Sequence, residues 1–280
     1  MTAVALGTVV ERVGELRGIP VLTADLLERI DDPGLDLGCI SERVGRDPAL
    51  AAKVLRVANS SFFGLPGCVG SLRDAVRLLG TANLRTLVLA TGLIRHLAMP
   101  PGCPLDRHAF WRHGLETGSC AQALARHLKG DTEVAFTAGL LHDIGEFALA
   151  VAYPEEFRKL LGARRHGDPN PLSAERDALG VDHAMVGYEL SRRWRFPVPI
   201  QMAIRAHHEP DEPPHDTLID IVHAASAVCR GEESPAIAWE RMAAISSSVI
   251  RRRRLTAELL ASCHAEAQDR IADITVLLET

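Results

Sequence analysis

The sequence predicts an all-α protein, and its composition and residue patterning favour that fold class. Aromatic residues make up only 4% of the chain while 47% of it is hydrophobic, so alanine, leucine, valine and isoleucine must form the core. Alanine and leucine favour helices, and the valine–threonine alternation that is typical of strands is nearly absent. At 280 residues the chain is long enough for one large domain or two modest ones.

Charge and cysteine usage argue against several classes of protein. The formal net charge of −5 gives no general reason to expect a nucleic-acid partner. The six cysteines are far apart and form no CxxC pair, which disfavours a zinc ribbon or a disulfide framework. We find no signal peptide and no run of about 18 uncharged apolar residues. We therefore expect a soluble protein of the reducing cytoplasm, with no membrane partner.

The N-terminal half is expected to form a series of short helices that ends at a linker. The stretch Met99–Pro104, with three prolines and a glycine, is the clearest linker in the chain. Residues 37–58 have the spacing of a helix-turn-helix, but only Lys53 and Arg56 of the second helix could contact DNA. A helical hairpin that packs on a core is preferred, and DNA is not expected as a partner. The predicted helices cover residues 6–16, 23–30, 37–44, 49–58, 72–79 and 84–97.

A histidine and an aspartate lie side by side in an otherwise apolar stretch of the C-terminal half. They are His142 and Asp143, in a stretch predicted to be one helix from Ala135 to Ala152. Burying an imidazole and a carboxylate together is costly unless they are paired, hydrogen-bonded or bound to a metal. The pair alone leaves two alternatives open, a His-Asp pair that satisfies itself and a metal site.

Four further histidines lie at the starts or ends of predicted helices in this half. Side chains from separate helices of a bundle can meet in its interior and form a metal site. Imidazole and carboxylate ligands suit iron, manganese, zinc or nickel. With 12 histidines in the chain, their spacing alone supports a metal site only modestly. The four are His113, His183, His207 and His208.

The order of these residues resembles the HD superfamily of metal-dependent phosphohydrolases, and the surrounding phrases resemble one branch, the HDOD domain (HD-related output domain). The resemblance spans roughly Ile19 to Cys229. It implies an N-terminal helical subdomain, here residues 1–100, packed on a C-terminal HD-like helical bundle, residues 105–232, with a helical extension at 233–280. The matching phrases are DPAL at 47–50, ANS at 58–60, AGLLHDIG at 138–145, DHAMVG at 182–187, Trp194 with Pro197, and the pair at 207–208.

The resemblance also implies a metal pocket that holds one or two divalent transition-metal ions. The chain departs from active HD enzymes at Ser226, which stands where they have an aspartate on a late helix. Serine is a poor ligand, and His223, one turn earlier on the same helix, is the residue that could replace it. Related HD-GYP proteins, which hydrolyse cyclic di-GMP, have a lysine where this chain has Glu146, and no Gly-Tyr-Pro follows residue 209 here. Both differences count against cyclic di-GMP hydrolysis. The implied ligands are His113, His142, Asp143, His183, His207 and His208.

These features predict a bacterial signal-transduction module without catalytic activity that binds a regulatory protein or a small nucleotide-like ligand. The alternative is a metal-dependent phosphohydrolase acting on a nucleotide or a cyclic dinucleotide. Arg251–Arg254 is expected to be the solvated start of a helix rather than a phosphate-binding patch, because acidic residues follow it. Residues 258–278 are expected to form a last amphipathic helix, which docks on the core or on a second copy of the chain in a homodimer.

Overall fold

The computed structural model describes residues 7–8, 11, 36–59, 69–81, 84, 88, 101–165, 171–194, 196–213, 215–230 and 242–274. Within these residues the regular elements are helices and no strand is present, which confirms the predicted all-α class. The chain divides into two compact units, and residues 36–88 and 101–271 fall into different units. The helices predicted at 6–16, 23–30 and 84–97 lie wholly or mostly outside the described residues.

The first unit contains helices α1 (Leu37–Gly45), α2 (Pro48–Ala58) and α3 (residues 72–81). Asp47 caps α2 as predicted, because its Oδ1 accepts a hydrogen bond of 3.2 Å from the N–H of Leu50. Ser71 caps α3 in the same way, through a hydrogen bond of 3.1 Å from the N–H of Asp74. Lys53 is only 8% exposed. This burial agrees with a helical hairpin that packs on a core.

The second unit is a helical bundle in which four helices begin at aspartate caps. Asp106, Asp131, Asp182 and Asp216 each accept hydrogen bonds from backbone N–H groups of the first turn that follows them. The helices of this unit are α4 (Arg107–His127), α5 (Thr132–Leu141), α6 (Ile144–Ala152), α7 (Pro154–Arg165), α8 (Pro171–Leu179), α9 (His183–Arg193), α10 (Val198–Ala206), α11 (Thr217–Cys229), α12 (Ser247–Arg253) and α13 (Ala257–Ile274).

The centre of the bundle is the apolar stretch formed by α5 and α6. A Cβ atom at Gly118 of α4 would lie 2.8 Å from the carbonyl oxygen of Phe136, so the backbones of α4 and α5 approach closely because a side chain is absent there. The stretch Thr132–Ala152 is long and apolar enough to cross a membrane by length and composition, but 83% of its most apolar window is buried inside the fold. Such burial is typical of a core helix.

The single helix predicted from Ala135 to Ala152 is wrong, because the structure breaks it at His142 and Asp143. Helix α5 ends at Leu141 and α6 begins at Ile144. Asp143 has φ −97° and ψ 15°, outside the helical range, and its carbonyl accepts a hydrogen bond of 2.8 Å from the N–H of Glu146. The break places both polar side chains at the junction of two helices, where they can turn towards one centre.

The arginine run at 251–254 also differs from its prediction. It forms the last turn of α12 and its C-cap, rather than the start of a helix. Nε of Arg252 and Nε of Arg253 each donate a hydrogen bond of 2.7 Å to Asp220, which is 1% exposed. These two arginines therefore hold α12 against the buried start of α11. The predicted last helix is present as α13, and residues 275–278 lie outside the described part.

Candidate metal centre

All six residues that the resemblance assigns to a metal come together in the second unit. They form two overlapping groups, and within each group the candidate ligand atoms lie within 4.8 Å of one another. His113 and His208 are half-buried, while the other members are buried. The first group is His113, His142 and Asp143, and the second is Asp143, His183, His207 and His208.

Helix boundaries position most of these side chains. His142 and Asp143 lie in the break between α5 and α6, and His183 is the first residue of α9. The pair at 207–208 follows directly after α10. Oδ1 of Asp182 accepts a hydrogen bond of 2.7 Å from the N–H of Met185, which fixes the residue at which α9 begins. The cap at Asp182 therefore determines where His183 lies.

Asp143 lies between the two groups, and each of its carboxylate oxygens faces a different one. Oδ2 is 3.0 Å from Nε2 of His142 and 3.6 Å from Nε2 of His113. Oδ1 is 3.2 Å from Nε2 of His207 and 3.4 Å from Nε2 of His183. Because it touches both groups, this carboxylate is the centre of the site.

Backbone carbonyls fix which ring nitrogen of two histidines faces the site. Nδ1 of His142 donates to the carbonyl of Gly139 at 2.7 Å, and Nδ1 of His207 donates to the carbonyl of Ile204 at 2.8 Å. In a neutral imidazole the other nitrogen then carries a lone pair. When both rings are neutral, each Nε2 points a lone pair at the Asp143 carboxylate, which also presents only lone pairs.

His183 is held by a buried carboxylate that the sequence did not indicate. One oxygen of Glu175 accepts hydrogen bonds from the backbone N–H of His183 at 2.7 Å and from its Nδ1 at 2.8 Å. Burial alone would lower the pKa of His183, but the charge and hydrogen bond of Glu175 and the charge of Asp143 outweigh it and raise the pKa to about 10. A metal ion would therefore compete with a proton for Nε2 of His183.

His113, His207 and His208 favour the neutral form, which is the form that binds metals. Burial, followed by the charge of His142, lowers the pKa of His113 to about 3. Burial also lowers the pKa of His207 to about 4, and it lowers that of His208. For Asp143, burial would raise the pKa, but the surrounding histidines overcome this and hold the pKa well below its usual value.

The orphaned polar atoms of the cluster fit a divalent metal ion. Buried polar atoms without a partner are rare and costly. Atoms bonded to one ion at about 2.1 Å and at right angles lie about 3 Å apart, close to the 3.0–3.6 Å between Asp143 and its histidines. The ligand atoms that are buried without a hydrogen-bond partner among the described residues are Nε2 of His113, His142 and His207, and Oδ1 of Asp143.

His223 does not supply the ligand that Ser226 fails to provide. Nδ1 of His223 donates to the carbonyl of His207 at 2.7 Å, and Nε2 accepts from the N–H of Ser246 at 3.0 Å. Both ring nitrogens are therefore used to tie the 207–208 pair to the start of α12. Ser226 is buried, and its Oγ has no hydrogen-bond partner in the described part of the chain.

Sequence reasoning missed three residues at the site besides the ligands. Glu175 is one, and Arg176 beside it joins Asp182 to Glu209 through hydrogen bonds of 2.6 and 3.2 Å. Arg230 is the third, with its Nη2 only 3.1 Å from Nε2 of His208. No pattern separates these from other charged residues, because the partner of each is set by tertiary packing. A pocket of about 430 Å³ is lined in part by His208, one of the candidate ligands, and by His223.

The family of this chain follows from its match to a known domain. The sequence model of the HDOD domain matches residues 16–210. The chain belongs to the HDOD family. The match confirms the resemblance drawn from the sequence, and it includes all six candidate ligands but ends before α11 and α12.

Two solved structures are similar to this chain over nearly its whole length. One, described as a candidate phosphohydrolase of Shewanella amazonensis SB2B, is 27% identical with a TM-score of 0.76 and covers 96% of this chain and 97% of that one. The other, described as a candidate signal transduction protein of Marinobacter aquaeolei VT8, is 25% identical with a TM-score of 0.73 and covers 99% of this chain and 61% of that one. This HDOD chain is thus an HD-related regulatory module.

The curated relatives are longer than this chain. An uncharacterised protein of Treponema pallidum is 28% identical over 229 residues, which are 80% of this chain and 44% of that protein. A ribonuclease Y of Lawsonia intracellularis is 26% identical over 179 residues, which are 64% of this chain and 26% of that protein. The HDOD chain therefore spans less than half the length of these relatives.

Proposed function

We propose that this HDOD protein is a metal-binding signalling module of the bacterial cytoplasm that binds a regulatory ligand or partner protein without turning a substrate over. The observation that carries this proposal is that four buried candidate ligand atoms, three histidine nitrogens and one oxygen of Asp143, have no hydrogen-bond partner within the described part of the chain. The same residues would hold one or two ions of iron, manganese, zinc or nickel. The described cysteines are free thiols, which suits a reducing compartment.

The chain's own residues prepare the pocket for a cation. The carbonyls of Gly139 and Ile204 hold two imidazoles in one tautomer, and Glu175 orients a third. Asp143 supplies the negative charge between the two groups. A divalent metal in such a site polarises a phosphoryl oxygen and activates a water molecule. The buried Ser226 provides no second carboxylate, which is why turnover is not part of this proposal.

A metal-dependent phosphohydrolase is the second candidate function. It is favoured by the way the two oxygens of Asp143 face two ligand groups, an arrangement suited to two ions acting on one phosphoryl group. The similarity to the Shewanella protein also supports it. Assays of metal-loaded protein on cyclic dinucleotides, nucleotides and bis-p-nitrophenyl phosphate distinguish the candidates. Turnover that is abolished in His142→Ala would replace the first proposal with the second.

Metal content tests the proposal directly. We expect wild-type protein purified without an affinity tag to carry a divalent transition metal, and His142→Ala to carry less than a tenth as much. The matched control is His127→Ala, which removes an exposed histidine from α4 and should retain the metal. Elemental analysis measures all three proteins, and circular dichroism verifies that they are folded. A folded wild-type protein that stays metal-free after incubation with manganese, iron or zinc would contradict the proposal.

A further inference from the structure

We propose that Arg230 is an internal cation that competes with the metal for Nε2 of His208 and so lowers the metal affinity of the pocket. This inference rests on the proposed function, because it concerns a metal bound by the same residues. It assigns a residue that controls how tightly the metal is held, which the set of ligands alone does not. Arg230 lies immediately after α11 and outside the residues that the family model matches.

The histidine nitrogens of the cluster differ in whether a hydrogen bond already uses them. Three are buried without a hydrogen-bond partner in the described part of the chain, namely Nε2 of His113, His142 and His207. Nε2 of His208 is different, because it lies 3.1 Å from Nη2 of Arg230 and 3.0 Å from Nε2 of His183. Three nitrogens are therefore available to a metal at once, whereas that of His208 is already engaged.

The arginine fixes the direction of these hydrogen bonds. A guanidinium carries donors only, so Nε2 of His208 must accept from Arg230. The same nitrogen also accepts from Nε2 of His183, whose Nδ1 donates to Glu175 at 2.8 Å. Two donors thus share the lone pair through which this imidazole would bind a metal. Arg230 has to leave before His208 can act as a ligand.

The charge of Arg230 also acts against a metal ion. An arginine side chain keeps its charge in proteins, and like charges repel. Asp143 is the single carboxylate of the two ligand groups, so one negatively charged ligand has to offset the metal and the guanidinium together. The pocket therefore carries a cation of its own, which a metal must replace at His208.

Arg230 can leave His208 while the site stays in place. The residue is exposed, and its backbone N–H caps α11 by donating to the carbonyl of Ser226 at 3.1 Å, a bond that the side chain does not make. Nε2 of His208 and Nε2 of His183 already lie 3.0 Å apart, close to the spacing of about 3 Å for two ligands at right angles on one ion. Removing the guanidinium should therefore release a ligand that is already in position.

Manganese affinity tests this inference in a double-mutant cycle. Electron paramagnetic resonance measures free Mn²⁺ while the chelator-treated chain is titrated. We expect Arg230→Ala to bind Mn²⁺ about tenfold more tightly than the wild type or better, because the competing cation is gone. Combined with His208→Ala, the same substitution should gain less than about twofold, because the contested nitrogen is absent.

Two further variants make the cycle independent of one substitution. Arg230→Gln also removes the charge and should bind Mn²⁺ more tightly than the wild type, so it provides the test if Arg230→Ala does not fold. Arg251→Ala, which removes an exposed arginine of α12, is the matched control and should bind Mn²⁺ as the wild type does. Circular dichroism verifies that each protein is folded.

The outcomes separate this inference from the proposed function. Wild-type protein that binds no Mn²⁺ overturns the proposed function and this inference with it. Wild type that binds Mn²⁺ as tightly as Arg230→Ala and Arg230→Gln overturns this inference alone. A gain that persists in full beside His208→Ala also overturns it, because Arg230 would then act through its charge and not by holding His208. A gain of about tenfold that is lost beside His208→Ala supports it.

Discussion

At the scale of single residues, hydrogen bonds to ring nitrogens decide what the cluster can bind. A histidine whose Nδ1 donates to a carbonyl must present Nε2 as an acceptor when it is neutral, and His142 and His207 are both held in this way. His183 differs because its Nδ1 donates to the carboxylate of Glu175. A carboxylate behind a ligating imidazole raises the basicity of that imidazole and strengthens its bond to a metal.

Replacing Glu175 with glutamine should therefore weaken metal binding while leaving the fold in place. The amide oxygen of Glu175→Gln can still accept from His183, but the negative charge is lost. We expect the metal dissociation constant to rise by about 10–100-fold, measured by competition with a chelator. Glu189→Gln on α9 is the matched control, because Glu189 pairs with Arg192 and not with a ligand. Equal metal affinity in the two variants would contradict this role of Glu175.

At the scale of helices, the site depends on how closely α6 approaches α9. A Cβ atom at Gly145 would lie 1.9 Å from the carbonyl oxygen of His183 and 2.6 Å from the backbone nitrogen of Gly187. Both neighbours are backbone atoms, so no side-chain rotation could make room. The absence of a side chain at Gly145 lets the start of α6, with Asp143, meet the start of α9, with His183.

Adding one methyl group at this crossing should therefore disturb both stability and metal binding. We expect Gly145→Ala to lower the free energy of unfolding by about 1–3 kcal/mol or more and to weaken metal binding, since it pushes His183 away from Asp143. Gly162→Ala is the control in α7, where a Cβ atom would have nothing within 4 Å and should be neutral or stabilise by up to about 1 kcal/mol. Urea unfolding with a chelator present measures both variants. If Gly145→Ala is as stable as Gly162→Ala, the packing argument is wrong.

At the scale of the whole molecule, the sequence predicts features that depend on neighbouring residues, such as helix caps. It does not predict contacts between charged residues that are distant along the chain. The caps at Asp47 and Ser71 predicted where helices begin, and the ligand histidines followed the order of a known family. The break at 142–143 was missed because apolar residues continue on both sides of it. The role of Arg252 was missed because its partner, Asp220, lies 32 residues earlier, and spacing along the chain does not show such a contact.

The contacts of α12 extend the site beyond the residues that the family model matches. His223 links the carbonyl of His207 to the N–H of Ser246, and Arg252 bonds the carbonyl oxygen of Pro210 at 2.7 Å. These bonds hold the segment after α10, which carries two candidate ligands, from the side of α11 and α12. Residues after 210 therefore belong to the structural unit that a metal would stabilise.

Metal binding should consequently raise the thermal stability of this unit. A ligand that binds only the folded state at 100 times its dissociation constant stabilises by about 2.7 kcal/mol, and each kcal/mol is worth about 2–4 °C for a unit of this size. We expect Mn²⁺ to raise the melting temperature of chelator-treated protein by about 5–10 °C, measured by differential scanning calorimetry. His127→Ala should show the same rise and His142→Ala none. An equal rise in His142→Ala would mean that the stabilising ion binds away from the Asp143 cluster.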